Sequence, residues 1–345
     1  MKTAYLRNRV VALARRVRRA LRAAGARDGT ATHTVSELWG RDEANWKVGG
    51  ELHWTELEAI KRRISLRVCN NPAMDPWEYV FRAHLIDAIP LDRALTLGCG
   101  FGELERLTAS FGVIRRHDAF DISDGAIGRA RDAARAAGYA QLHYEVADLN
   151  YLQLERGAYD CVFGVQSIHH IERLEHLFGQ VVEALKPGGH FILNEFVGPT
   201  RFQWTDRQLE VINGLLRALP ERLRVNRRTG AVKRAVGRPR IADMIRIDPS
   251  ESIRSAEIVS VLERYLPVVE IKGYGGTVLH MLLDDIAGNF RDAGPTGEAF
   301  LESLCDLEDL LIAGGDLTHD FAFIVARKPP SPAREGPGVA LQENR

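Results

Sequence analysis

Between residues 91 and 196, short apolar runs alternate with amphipathic stretches, and no other feature narrows the possible folds as far. "RALTLGC" reads as a strand, "GELERLTASF" as a helix and "RRHDAFDIS" as a strand. "DGAIGRARDAARAAG" follows as a helix, and "LHYEVAD" and "YDCVFGVQS" as strands. "LEHLFGQVVEALKPGG" is a helix expected to end at Pro187-Gly188, and "HFILNEF" is the next strand. Parallel neighbours need a long crossover connection, which a helix supplies, so this alternation specifies an α/β fold around a parallel sheet. Such sheets bind ligands beyond the carboxyl ends of their strands.

The first of these strands breaks into Gly98, Gly100 and Gly102, spaced G-x-G-x-G, before a helix resumes. Glycines there permit a tight turn and let backbone N–H groups approach a ligand at the helix N-terminus. A dinucleotide-binding turn has its third glycine one residue later, where this chain has Glu103. A pyrophosphate disfavours that carboxylate, whereas a ligand ending in a zwitterion tolerates it. Asp121 closes the second strand, about 20 residues on, where an acid takes both hydroxyls of a ribose. Asp148 closes the third, in "YEVADLN", and is placed to accept from an adenine amino group. The plainer alternatives are a helix cap for Asp121 and an ordinary strand-end acid for Asp148.

"VFGVQSIHHI" after the fourth strand and "ALKPGGHFIL" before the fifth complete a series of motifs. Over residues 94–196 the chain resembles the class I S-adenosylmethionine-dependent methyltransferases, and 267–274 and 320–328 are similar to that family's last two strands. The resemblance implies a Rossmann-like sheet, mostly parallel with an antiparallel last strand, and S-adenosyl-L-methionine as cofactor. Carried over, Gly98, Gly100 and Gly102 cradle the methionine part, Asp121 binds the ribose and Ile122 packs on the adenine. Asp148 and Leu149 flank the adenine edge, and the backbone around Gln166 closes the site beneath the sulfonium. Cys99 is a packing residue. One departure is plain: the family's usual acid two residues before the first glycine is Thr96 here, with Glu103 or Glu105 as compensating candidates.

Methyl transfer needs the acceptor in line with the S–CH3 bond, and a hydroxyl acceptor also needs a base. His169, His170 and Glu195 follow strands four and five and are the expected groups at the mouth of the site, one histidine acting as base. His280, in "GGTVLHML", either faces the acceptor or packs in the core. No HxD-type metal cluster appears, so a metal is not needed.

Around this domain (91–328) lie a basic amphipathic segment (1–30), a helical cover (31–90) with Trp39, Trp46, Trp54 and Trp77, and a Pro/Gly-rich tail (329–345) expected to be disordered. The insertion 197–262 sits where a lid over the acceptor is usual. In it, Arg201, Phe202, Trp204 and Arg207 are expected to form an aromatic, cationic wall. A helix is expected from "DPSE", with Asp248 as cap, Pro249 in the first turn and Glu251 completing a capping box. "DFAFIVARK" (320–328) is expected as an antiparallel edge strand. Four scattered cysteines and no long apolar run argue against a disulfide framework, a zinc site or a membrane span, and for a cytoplasmic protein. Net charge is zero, yet residues 1–28 and 217–246 are basic. They raise two further readings: peripheral contact of residues 5–24 with an anionic inner membrane surface, and RNA as acceptor. The reading adopted is transfer to a small organic acceptor, at a hydroxyl of a sugar, glycan intermediate or natural product. "EFVGPTRFQWTDRQLEVIN" and "GYGGTVLH" are similar to stretches of bacterial methyltransferases of surface-glycan or secondary-metabolite pathways. The alternatives are an RNA methyltransferase using the basic segment and a non-catalytic methyltransferase-like binding module.

Overall fold

The computed structural model describes residues 52–227 and 229–331. The expected N-terminal basic helix, Trp39, Trp46 and the tail from residue 332 lie outside the described residues. Seven strands form one sheet: β1 (Leu91–Leu97), β2 (Ile114–Asp121), β3 (Leu142–Val146), β4 (Tyr159–Val165), β5 (Leu185–Phe196), β6 (Val268–Gly275) and β7 (Phe321–Arg327). Their order is β3-β2-β1-β4-β5-β7-β6. Strands β1 to β5 pair in parallel, and β7 runs antiparallel to β5 and β6. The order reverses between β1 and β4, which opens a crevice at their carboxyl ends.

Alternation along the strands sends side chains to two cores. Leu95, Leu97, Val162, Phe191 and Leu193 join one face with α5 (Leu174–Ala184) and α8 (Ile258–Leu262). Ala94, Cys161, Phe163, Ile192 and Val325 face the other way. That second face is covered by α1 (Glu58–Cys69), α6 (Asp206–Ala218) and the chain of α9 (Leu279–Leu283), α10 (Ala287–Asp292) and α11 (Gly294–Ala313). Trp77, on α2 (Pro76–Val80), sets its ring edge-on to Phe163 at 6.1 Å and Phe323 at 5.3 Å, so the helical cover contributes to the same core. Asp75 starts α2 by accepting from the Trp77 N–H at 2.8 Å, an N-cap that leaves Pro76 in the first turn.

Three expectations are corrected. Strand β7 lies between β5 and β6 rather than at the edge; six of its seven residues are buried, and an edge leaves one flank of a strand open. Strand β6 takes the edge, with Val269 and Ile271 half exposed. Helix α5 stops at Ala184, because Pro187 denies its predecessor helical geometry, and Leu185 already pairs with Tyr159 in the sheet. No helix begins at "DPSE". Asp248 closes α7 (Ile241–Ile247), and its Oδ1 accepts from the Ser250 N–H at 2.8 Å, an Asx turn in place of a cap. The carbonyls of Pro249 and Glu251, which a helix would use, accept from the Arg201 guanidinium at 2.7 and 3.0 Å.

The insertion 197–262 is docked, not loose. Thr205 and Gln208 form a capping box at the start of α6. Lys233 is buried, its ammonium donating to the carbonyls of Met281 (2.6 Å), Leu282 (3.1 Å) and Asp284 (2.6 Å). Among the described residues no helix is long and apolar enough to cross a membrane. Replacing Lys233 with Ala leaves three buried carbonyls without their donor. We expect it to lower the free energy of unfolding by about 3 kcal/mol in denaturant titration.

Candidate functional site

The glycine turn joins β1 to α3 (Glu103–Ser110) with φ of 71° at Gly98, 51° at Gly100 and 76° at Gly102, all left-handed. Each flank is also close-packed. A Cβ on Gly98 would lie 2.4 Å from Ser167 Cβ, and one on Gly102 would lie 2.6 Å from Tyr144 Oη. A Cβ on Gly100 would meet nothing within 4 Å, so the middle of the turn is open. Asp121, ending β2, fixes the turn: its Oδ2 accepts from the Gly100 N–H at 2.9 Å, and its Oδ1 from the Ser123 N–H at 2.9 Å. Burial raises the Asp121 pKa, and these backbone donors oppose that rise. A carboxylate has about four acceptor positions, so Asp121 keeps capacity for hydroxyls beyond its two backbone bonds. It does not act as the expected alternative, a helix cap: Ser123 caps α4 (Asp124–Ala136), accepting from the Ala126 N–H at 3.2 Å.

Thr96 is buried and its hydroxyl is engaged with His117 Nε2 at 2.9 Å, not with the turn. Beside it, Glu105 is fully buried and neither carboxylate oxygen has a hydrogen-bond partner. Burial pushes its pKa up to about 7. Glu103, by contrast, is exposed on the first turn of α3. Of the two acids named as replacements for the one missing at position 96, the structure therefore puts Glu105 inside.

Asp148 Oδ1 accepts from the backbone N–H (2.9 Å) and side-chain amide (3.1 Å) of Asn150, a turn that presents the end of β3; Leu149 is buried and Ile122 half-buried. After β4, Gln166 is exposed at φ 51°. Such a backbone in a non-glycine residue is held by its surroundings; here the Gln166 N–H donates to Asn194 O at 2.9 Å, binding the end of β4 to β5.

One residue pair follows with its own chemistry. Glu195 is fully buried at the end of β5 and accepts from four donors: the backbone of Ser167 (2.9 Å), Ile168 (2.6 Å) and Phe196 (2.7 Å), and His169 Nδ1 (2.5 Å). Burial would raise its pKa, but His169 and those donors hold it below the ordinary carboxylate value. For His169, burial pulls down, yet the Glu195 carboxylate, with Glu251 and Asp248 behind it, holds the ring above its ordinary value. With Nδ1–H given to Glu195, the neutral ring carries its lone pair on Nε2, which lies 3.7 Å from Glu251 Oε1. His170 stacks beside it, ring centroids 4.2 Å apart, with Nδ1 bonded to Ser250 Oγ at 3.0 Å. Burial and the neighbouring His169 lower its pKa. Sequence reasoning missed Glu251, which was assigned to a capping box. Its actual place follows from Arg201 gripping the 249–251 backbone and from the Ile253 N–H donating to His169 O at 3.0 Å.

The expected cationic wall does not form. Arg201 is turned onto those carbonyls, and Arg207 is exposed and paired with Asp316 at 2.7 Å. Trp204 is buried, stacked under Phe202 with centroids 5.1 Å apart. His280 packs among Phe196, Phe202 and Phe321. These rings form an aromatic cluster that reaches His169 through Phe196, centroids 6.1 Å apart. Among the described residues, four arginines of the basic segment are paired within the chain: Arg227 with Asp292, Arg238 with Asp206, and Arg240 and Arg246 with Asp243.

These residues fit S-adenosylmethionine on their own geometry. An open left-handed glycine turn, an acid with unused acceptor capacity at the end of β2, and beside the turn a buried carboxylate with the Thr96 hydroxyl near it but no hydrogen bond of ordinary geometry suit a ligand with a ribose and an ammonium.

Residues 95–193 match a family model described as "Methyltransferase domain". Over 62% of this chain, the sequence is 26% identical to 24-methylenesterol C-methyltransferase 2 of Oryza sativa subsp. japonica, covering 62% of that protein. Over 31% of this chain it is 31% identical to 27-O-demethylrifamycin SV methyltransferase of Amycolatopsis mediterranei, covering 39% of it. The chain thus spans less than two thirds of the length of either relative. Among solved structures, the geranyl diphosphate C-methyltransferase of Streptomyces coelicolor superposes with a TM-score of 0.50 at 12% identity. That match covers 88% of this chain and all of the other, a likeness of fold alone.

Two outcomes are expected. Asp121→Ala lowers affinity for S-adenosylhomocysteine at least tenfold in calorimetric titration, having removed the acid that holds the turn. Glu105 has a folded pKa of about 7, above its unfolded value of about 4.3. The native state therefore holds the extra proton, and stability falls as pH rises between those values. The size of that fall is at most about 4 kcal/mol; denaturant midpoints at pH 5 and pH 8 should differ less in Glu105→Gln than in the unsubstituted chain.

Proposed function

We propose that this chain, whose residues 95–193 match a methyltransferase domain, uses S-adenosylmethionine to methylate a small organic acceptor at a hydroxyl, with His169 as general base. The observation that carries the reading is the buried Glu195–His169 pair, 2.5 Å apart at the ends of the two strands beside the crevice. An amine arriving uncharged needs no such base, whereas a hydroxyl does. Glu195 fixes the tautomer, orients the ring and stabilises the imidazolium once it forms.

When bound, S-adenosylmethionine supplies an electrophilic methyl on its sulfonium. Gly98, Gly100 and Gly102 with Asp121 would hold it, Ile122, Asp148 and Leu149 would border its adenine, and the Gln166 backbone would close the site beneath the sulfonium. Glu105 is assigned to the ammonium end in place of the acid absent at position 96. As the acceptor oxygen bonds to the methyl carbon, the sulfur–methyl bond would break with its electron pair kept by sulfur, and the hydroxyl proton would pass to His169 Nε2, leaving a neutral ether and an imidazolium.

The relatives named above are a 24-methylenesterol C-methyltransferase and a 27-O-demethylrifamycin SV methyltransferase; both support a small-molecule acceptor. The aromatic cluster behind Phe196 favours an acceptor with an apolar body, a natural product or a glycosylated one, over a free sugar. Four arginines of the basic segment, Arg227, Arg238, Arg240 and Arg246, are already paired with this chain's own carboxylates, which weighs against RNA as the acceptor.

The test is transfer of labelled methyl from S-adenosylmethionine to fractionated extract. Label in an organic-soluble small-molecule fraction supports the reading, and label in an RNase-sensitive fraction overturns it. With an acceptor in hand, His169→Ala should reduce kcat about 10²- to 10⁴-fold with cofactor affinity retained. Only the neutral ring accepts a proton, so the rate should climb with pH through the raised pKa of His169. Glu195→Gln removes the charge that holds that pKa up, and should move the acidic limb of the kcat profile to lower pH.

A further inference from the structure

We infer that His169, His170 and Glu251 form a binding site for one divalent cation of the zinc class, against the expectation from sequence that no metal is involved. One ligating atom from each lies within 4.8 Å of the others. Proximity alone would be weak; the tautomers make the case. Ser250 Oγ has a single hydrogen and donates it to Asp248 Oδ1 at 2.6 Å. At 3.0 Å from His170 Nδ1 it must therefore accept, so His170 carries its proton on Nδ1. His169 likewise gives Nδ1–H to Glu195 at 2.5 Å. Both rings thus carry their lone pair on Nε2, one backed directly by a carboxylate and the other through a serine. Metal-binding histidines are commonly backed in this way, which fixes the ring and raises its basicity.

Distances agree with the coordination chemistry. Zinc holds nitrogen and oxygen ligands at about 2.0–2.2 Å, so two ligands at a tetrahedral angle lie about 3.4 Å apart. His169 Nε2 and Glu251 Oε1 stand at 3.7 Å. Glu251 is half-buried, and its Oε1 also accepts from the Ser252 hydroxyl at 2.9 Å, so an ion would share that oxygen. Two imidazoles and a carboxylate suit zinc, cobalt or nickel better than magnesium or calcium, which take oxygen ligands. Three protein ligands leave a fourth position open. A cation here occupies the lone pair that the proposed base needs, so it inhibits methyl transfer; that consequence, though not the binding, rests on the reading of His169 above.

The test titrates the metal-stripped full chain with Co²⁺, following the visible absorption of the ion, then displaces it with Zn²⁺. One equivalent with an intense low-coordinate spectrum is expected. Glu251→Gln should weaken binding at least tenfold. Ser250→Ala, which releases the His170 tautomer, should weaken it about tenfold, with thermal unfolding of both variants unchanged. No saturable binding at micromolar Co²⁺, or equal affinity in Glu251→Gln, overturns the proposal. If the stripped chain binds Co²⁺ but transfers no methyl to any extract, the methyltransferase reading falls and the site stands. If it transfers methyl and binds no Co²⁺, the reverse holds.

Discussion

Glu195 is the group on which the arrangement at the carboxyl end of the sheet depends. It stands at the end of β5, fully buried, and receives three backbone N–H groups and an imidazole. An ionised carboxylate so far from water is tolerable only with its acceptor positions filled. Filling them forces the 166–170 loop into one conformation: Gln166 turns to positive φ, Ser167 and Ile168 point their N–H groups inward, and His169 turns Nε2 toward Glu251. Ser167 also packs against Gly98, where a side chain would collide, and its hydroxyl donates to Leu97 O at 2.6 Å. The glycine turn and the histidine loop are thus locked to each other across the crevice between β1 and β4.

The insertion after β5 completes this arrangement from outside the sheet. Its role differs from that of a loose, cationic lid. Arg201 spends its guanidinium on two backbone carbonyls, and that grip holds Ser250 and Glu251 over the histidines. Lys233 ties the same insertion to α9 through three carbonyls. Part of the charge that looks available in the sequence is therefore internal. Exposed pairs such as Arg238–Asp206 add little stability, but each reduces the positive field that a phosphate backbone would meet.

Much of the fold was legible because period-2 alternation and turn residues act locally. β1 to β5 follow from the apolar runs, and Gly98, Gly100 and Gly102 all take the left-handed backbone that their residue type permits. Local rules failed where a distant partner intervened. "DPSE" has the composition of a helix start, yet Asp248 folds onto Ser250 and Arg201, 48 residues from Pro249, removes the carbonyls a helix would use. β7 reads as a terminal strand, and termini suggest edges; its near-complete burial places it inside, with β6 beyond it. Nothing in the local pattern distinguishes Glu103 from Glu105 as the internal acid. The first points to solvent and the second under the turn because they lie two positions apart on one helix.

By itself the sequence determined the α/β architecture, the glycine turn, the acids at the ends of β2 and β3, and the presence of histidines after β4. These are properties of neighbours along the chain, set by backbone sterics and by the spacing of apolar residues. The tertiary structure decided which groups share a proton or a charge. It paired His169 with Glu195, 26 residues away, and set Glu251 opposite, and it left Glu105 alone in the core. Those relations depend on desolvation and on distances across strands, and neither is written in the order of residues.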